Sequence, residues 1–302
     1  MGTKENTLLV VLGPTGVGKT EVGLHIAEQL RTPVISCDSR QFYREMKIGT
    51  AAPTKAQLQR ATHYFVGCRS VTEPLNAGQF ELEVMALLPE IFKQHRTALM
   101  VGGSMLYIDA VCKGIDNLPT VDRDIREALH SVYKNEGLEG IRALLQHLDP
   151  AYYQKVDLKN HQRILHALEI CLMTNQPYSS LRTGMEKERP FNIVKIGLNL
   201  PREELYDRIN RRVDGMMNEG FEEEARRLYH LRSLNALNTV GYKELFACFD
   251  GTWDRDVAVG MIRQNARRYA KKQLTWFNRD REITWFLPDE MNKIDQFIEP
   301  FQ

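Results

Sequence analysis

The chain contains no apolar run approaching the ~18–20 residues needed to cross a bilayer, which argues against a membrane role. Its five cysteines, Cys37, Cys68, Cys112, Cys171 and Cys248, include no C-x-x-C pair. Neither a disulfide framework nor a zinc site is therefore expected, and the thiols read as reduced and mostly buried. An excess of charge of one sign is also missing, because 40 Lys and Arg stand against 39 Asp and Glu. A nucleic-acid partner must then be held by a local basic patch. No internal repeat and no low-complexity segment breaks up the chain. The opening MGTKENTLLVVLG runs from a few polar residues straight into an apolar strand-like run, unlike a signal peptide, which predicts a cytoplasmic protein. At 302 residues and 43% hydrophobic content, the chain is long and apolar enough to bury a proper core.

What is present in the first third is an alternation of strand-like runs, TLLVVLG (7–13), PVISCD (33–38) and TALMVGG (97–103), with helix-like segments between them. That pattern predicts an α/β fold with a parallel sheet covered by helices on both faces. From about Leu118 to Arg182 the sequence turns charged and helix-periodic without a convincing strand, predicting an inserted helical subdomain. The strand-like run NIVKIGLNL (192–200) resumes the α/β pattern, and Pro201 opens a long helical tail. The expected organisation is a discontinuous core of residues 1–115 and 184–302 around an insertion of residues 116–183.

Residues 13–20, GPTGVGKT, fit G-x-x-x-x-G-K-[ST] between a strand and a helix, the context of a phosphate loop. Gly13, Pro14, Thr15, Gly16, Val17 and Gly18 form the loop whose backbone N–H groups converge on an anion. Lys19 adds a point charge, and Thr20 is placed to hold Mg²⁺. Such a loop accepts a diphosphate or a nucleotide equally well. The run PVISCD delivers Asp38 to the carboxyl edge of the sheet, where ligands bind in doubly wound folds, either as a turn cap or as a carboxylate aimed at the reacting group, as general base or as a partner to the groups around a bound metal. The strand 97–103 ends in Gly102, Gly103 and Ser104 where an ATPase would carry an acidic residue. A guanine-nucleotide switch is also disfavoured, and NKID (292–295) reads as a chance match. The segment RQNARRYAKKQLTWFNRDR (263–281) places Arg263, Arg267 and Lys271 on one helical stripe and Arg268 and Lys272 on a second. That helix reads either as a solvated face or as a surface for phosphate backbones, with Tyr269, Trp276 and Phe277 able to stack on bases or to pack in the core.

GPTGVGKT, DSRQFYREMKIGTAAP (38–53), GGSMLY (102–107), NHQRILHALEI (160–170), VGYKE (240–244) and QLTWF (273–277) together resemble the tRNA dimethylallyltransferases, or tRNA isopentenyltransferases, over nearly the whole chain. The resemblance implies a P-loop kinase-like core with a helical insertion. It implies transfer of a dimethylallyl group from dimethylallyl diphosphate to the exocyclic amine of the adenosine 3′ of the tRNA anticodon. Pyrophosphate leaves, so the loop grips a donor and transfers no phosphoryl group. Asp38 falls on the catalytic carboxylate. Ser39, Arg40, Gln41, Ser104, Arg126, Gln162, Arg163, Ile164, Leu165 and His166 fall on tRNA-contacting positions, and Arg212 is a candidate for the donor diphosphate. Met105 stands where the family usually has glycine, which is expected to reshape the channel wall. Without a zinc finger of the eukaryotic type, the bacterial form is the nearer resemblance. Mg²⁺, tRNA through its anticodon stem-loop, and dimethylallyl diphosphate are the implied partners, and the enzyme is expected to act as a monomer. Rival readings are an adenylate isopentenyltransferase, a small-molecule kinase and a non-catalytic RNA-binding protein.

Overall fold

The first strand shows how the layers arise, because its residues are apolar on both faces and alternate between two cores. Leu8, Val10 and Leu12 face one hydrophobic cluster, with Phe80, Val84 and Ile108, while Leu9 and Val11 face another, with Val22, Ile26 and Ile209. A strand buried on both sides needs a covering layer on each, which the helices of parallel crossover connections supply here. The structure, a computed structural model, describes residues 5–116, 118–119 and 122–302.

In chain order the elements begin with β1 (Thr7–Leu12), α1 (Lys19–Leu30), β2 (Val34–Cys37), α2 (Lys55–Arg60), β3 (His63–Tyr64), α3 (Ala77–Phe92), β4 (Thr97–Gly102) and α4 (Met105–Lys113). Four helices follow: α5 (Arg123–Leu148), α6 (Pro150–Tyr153), α7 (His161–Thr174) and α8 (Tyr178–Leu181). The chain then returns through β5 (Asn192–Leu198), α9 (Arg202–Asn218), α10 (Phe221–Leu228), α11 (Tyr242–Phe249), α12 (Arg255–Phe277), β6 (Ile283–Phe286) and α13 (Met291–Ile298). The six strands form one sheet of order β3-β2-β4-β1-β5-β6, with all pairs parallel. β1 therefore lies between β4 and β5, and the loop leaving it opens over the carboxyl edge of the sheet.

Two compact units result, residues 1–113 with 188–302 and residues 114–187. The second has its own core, in which Leu129, Ile141, Leu145, Ile164, Leu168 and Tyr178 are buried together. α5 is broken at Gly137, whose φ of 68° is left-handed.

Two strands go beyond the sequence expectation. β3 is two residues long, too short for a periodic signal, and β6 (ITWF) follows the basic segment after a turn. The basic helix itself ends at Phe277, so Arg279 and Arg281 lie beyond it. NKID lies within α13, where the Asp295 carboxylate accepts a 2.7 Å hydrogen bond from His25 Nε2.

Candidate active site

The phosphate loop is built by close packing. Gly16 and Gly18 take φ of 82° and 103°, a region costly for residues with a Cβ, and a Cβ on Gly16 would lie 2.8 Å from Ile209 Cγ1 of α9. Gly18 is also the N-cap of α1, and no side chain caps that helix start. Its first N–H groups are left for an anion, reinforced by the positive end of the helix dipole. Lys19 Nζ folds back onto its own loop, donating to the carbonyls of Gly13 (3.0 Å) and Pro14 (2.8 Å). Burial pulls the Lys19 ammonium down to about 8, against the raising influence of Asp38, while Arg212 lowers it further.

Arg212 reaches the same loop from α9. Its guanidinium donates to Thr15 Oγ1 at 3.2 Å and to the Thr50 carbonyl at 3.4 Å. Burial lowers its pKa and the charge of Asp38 opposes that shift. Lys19, Arg212 and Asp38 thus form one group of two cations and one anion, lining a single cavity of about 1190 Å³ with Thr15, Gly16, Gly18 and Thr20. The cations outnumber the carboxylate, as a site for a diphosphate requires.

Asp38 follows β2 directly, and its Oδ1 accepts the Arg40 N–H at 3.0 Å, an Asx turn that fixes the carboxylate at the sheet edge. Ser104 Oγ accepts the Ser39 N–H at 2.8 Å and lies 3.2 Å from Ser39 Oγ, so buried Ser104 acts on Ser39. The Gln41 amide is committed inward: it donates to the carbonyls of Thr50 (3.3 Å) and Ala51 (3.2 Å) and accepts from Ser36 Oγ. Of Ser39, Arg40 and Gln41, Arg40 keeps a side chain with no ion pair among the described residues. Met105 opens α4 and packs against the core, and it is not among the residues lining the cavity, so the expected reshaping of the wall is not found.

In the helical unit the expected tRNA positions separate by face. Gln162 and Arg163 are exposed in the first turn of α7, where Asn160 Oδ1 caps the Arg163 N–H at 3.2 Å. Ile164 and Leu165 are 0% and 4% exposed within the unit's core, which corrects their assignment as tRNA contacts: they carry α7 and present nothing to a partner. Arg126 makes a two-pronged ion pair with Glu169 (2.7 and 3.2 Å), and His166 Nδ1 lies 3.5 Å from the same carboxylate. Burial works to raise the Glu169 pKa, but the bonds to His166 and Arg126 prevail and bring it down to about 2.

The basic stripe on α12 also divides. Arg263 is paired with Asp214, and Arg267 donates to Asn210 Oδ1 at 2.6 Å, so both are engaged with α9. Arg268, Lys271 and Lys272 are the exposed cations. Phe277 is core, and Trp276 Nε1 donates to Asp109 Oδ2 at 2.9 Å. Tyr269 lines the cavity; burial pushes its phenol up to about 12, with the Asp38 charge adding to the shift.

Several site residues escaped the sequence reading. Glu224, 3% exposed, accepts the N–H groups of Lys47, Ile48 and Gly49, each at 2.9 Å, and the Tyr242 hydroxyl at 2.6 Å. It anchors the loop that carries Thr50 to Gln41 and Arg212. Gln273 bonds to the phosphate loop from α12, and the segment Asn238–Gly241 lines the cavity.

Known proteins resemble this chain over most of its length. A profile of the family described as IPP transferase matches residues 41–280. A curated relative from Bacteroides fragilis, named tRNA dimethylallyltransferase 1, is 58% identical over 97% of this chain and 97% of its own. A relative from Christiangramia forsetii, named tRNA dimethylallyltransferase, is 48% identical over 97% of this chain and 98% of its own. The crystal structure of a tRNA isopentenylpyrophosphate transferase from Bacillus halodurans superposes with a TM-score of 0.72 at 34% identity, covering 98% of this chain and 96% of that one. A eukaryotic dimethylallyltransferase crystallised acting on tRNA shares the fold, with a TM-score of 0.78 at 21% identity over 98% of this chain and 77% of that one. The chain belongs to the IPP transferase family, among the bacterial tRNA dimethylallyltransferases.

Proposed function

We propose that this chain transfers the dimethylallyl group of dimethylallyl diphosphate to the exocyclic amine of the adenosine 3′ of the anticodon in tRNA, releasing pyrophosphate. The observation that carries the reading is the convergence of Lys19, Arg212 and the Asp38 carboxylate on one cavity beside an uncapped helix start. The amine nitrogen forms a bond to the first carbon of the allyl group as the carbon–oxygen bond to the diphosphate breaks. Asp38 takes the proton the amine loses. Lys19, Arg212 and the loop N–H groups neutralise the charge that develops on the leaving pyrophosphate, where electrostatic stabilisation has its largest effect. No phosphoryl transfer is involved, in keeping with β4 ending in Gly102 where a phosphate-hydrolysing site would offer an acid.

The donor set suits Mg²⁺, which keeps several waters and takes one or two protein oxygens together with substrate phosphates. Thr20, at the start of α1 and lining the cavity, is the residue whose hydroxyl would hold the ion alongside the donor phosphates. The bound ion supplies further neutralisation of the leaving group. The acceptor base has to leave its stack to reach Asp38, at a cost of a few kcal/mol offset by contacts to the rest of the anticodon arm. Arg40, Arg268, Lys271 and Lys272 in the core unit, and Gln162, Arg163, Arg126 and His166 in the helical unit, make those contacts. We further propose that the enzyme acts as a monomer in the cytoplasm. No described helix is long and apolar enough to cross a membrane.

A bare nucleotide brings none of the remote binding energy that orders and extrudes the base. We expect efficient transfer to an anticodon stem-loop and very poor transfer to AMP, with loss of rate as well as affinity. The comparison of kcat/KM for the two acceptors tests the reading, and comparable values would favour an enzyme of free nucleotides.

A further inference from the structure

Gln273 is a polar residue in the buried stripe of α12, between Ala270 and Phe277, and it is 2% exposed. Its side-chain oxygen accepts the Thr15 N–H of the phosphate loop at 2.9 Å. Its amide nitrogen donates to the Gly103 carbonyl just beyond β4 at 2.8 Å. A Cβ on Gly103 would lie 2.6 Å from that nitrogen, 3.2 Å from the Gly13 carbonyl oxygen and 3.4 Å from Lys19 Nζ. The amide therefore occupies a corner bounded by the phosphate loop, the end of β4 and the Lys19 ammonium. The corner is roomy enough for an amide only because position 103 has no side chain. A carboxylate in that corner would pair with Lys19 and compete with an incoming diphosphate. The neutral amide fixes the loop and leaves the lysine charge to the ligand.

We propose that Gln273 is a positioning residue of the donor site, whose neutrality is as necessary as its two hydrogen bonds. This rests on the assignment of the loop as the diphosphate site and deepens it, since it ties the donor loop to α12. Two variants separate neutrality from mere bracing. Gln273→Glu keeps the acceptor for Thr15 but brings a negative charge beside Lys19. Gln273→Met is close in length and neutral but loses both hydrogen bonds. If Gln273 only braced the helix, the methionine variant would be the more damaged.

The test is calorimetric binding of inorganic pyrophosphate with Mg²⁺ at pH 8, alongside filter binding of an anticodon stem-loop, for the full chain and both variants. We expect Gln273→Glu to weaken pyrophosphate at least ~10-fold, by more than Gln273→Met, and to leave stem-loop affinity within about twofold. Equal losses in the two variants, a larger loss in the methionine variant, or parallel losses for both ligands would overturn the proposal. Should the glutamate variant fail to fold, the methionine variant decides through the split between its ligands. A selective loss of pyrophosphate supports the positioning role, and unchanged or parallel affinities refute it. A wild-type protein that binds pyrophosphate but transfers no dimethylallyl group would overturn the functional reading and leave this inference standing.

Discussion

Asp38 is the carboxylate that acts on Lys19 and Arg212 in the donor cavity, and its place is set by local chemistry: the end of β2, then an Asx turn onto the Arg40 N–H. Asp38→Asn preserves that turn, because the amide oxygen still accepts, but removes the proton acceptor. We expect tRNA and donor affinities near those of wild type and a kcat lower by at least ~10²-fold, measured in single-turnover transfer. Turnover close to wild type would end the general-base role. Most of this residue-level picture was legible in sequence, since a phosphate loop and a strand-end aspartate both have local signatures. Glu224 was not, because it is one of three consecutive glutamates, Glu222, Glu223 and Glu224, and charge runs ordinarily face solvent. The signal was its phase: Phe221, Ala225 and Leu228 are buried, and Glu224 falls on the same face of α10. Gln273 has the same explanation, a polar residue in phase with Ile262, Ala270 and Phe277.

At the scale of elements, motif positions transfer less well than faces do. The run QRILH lies on one helix, so a contiguous assignment mixes residues on opposite sides; the 3.6-residue period separates exposed Gln162 and Arg163 from buried Ile164 and Leu165. Likewise the α12 stripe of Arg263 and Arg267 is satisfied by α9, a neighbour that no local pattern announces. The packing of α5 on α7 makes its own prediction. Glu169 of α7 binds Arg126 of α5 and His166 while nearly buried, and its pKa falls to about 2 in the folded state. A depressed folded-state pKa adds stability that is fully present above the unfolded value near 4.5 and is lost as pH falls toward 2. Glu169→Gln should therefore cost about 1.5–3 kcal/mol at pH 7, the range for hydrogen bonds to charged groups. The gap to wild type should narrow between pH 4.5 and pH 2. Urea unfolding of both proteins across that range checks it, and a gap independent of pH would mean that the ion pair does not govern this packing.

The sequence signal for a discontinuous organisation is that continuous apolar strand-like runs give way to charged helical sequence and then return. What the sequence could not supply is where the insertion closes, which depends on contacts between residues far apart in the chain. In the structure the two ends of the helical unit meet: a Cβ on Gly114 would lie 2.6 Å from Lys187 Cδ, and Asp116 accepts the Thr183 N–H and hydroxyl at 3.1 and 2.6 Å. On the core side, Arg189 is anchored by Glu81 and the Ala110 carbonyl, each at 2.7 Å. Each unit also buries a hydrophobic cluster of its own. A short flexible linker can then replace residues 114–187 at little entropic cost, since closing a small loop between adjacent ends is cheap. We expect the shortened chain to fold and to bind inorganic pyrophosphate with an affinity within about twofold of the full chain, because Lys19, Arg212 and Gln273 all lie outside the removed segment. Its affinity for an anticodon stem-loop should fall by at least ~10²-fold if, as proposed, Arg126, Gln162, Arg163 and His166 contact the tRNA, since they go with the unit. Filter binding over a series of salt concentrations measures the loss, and the log–log slope should flatten by roughly 0.7–0.9 for each cationic contact to a phosphate removed. Pyrophosphate binding retained together with unchanged stem-loop affinity and slope would assign all tRNA recognition to the core unit.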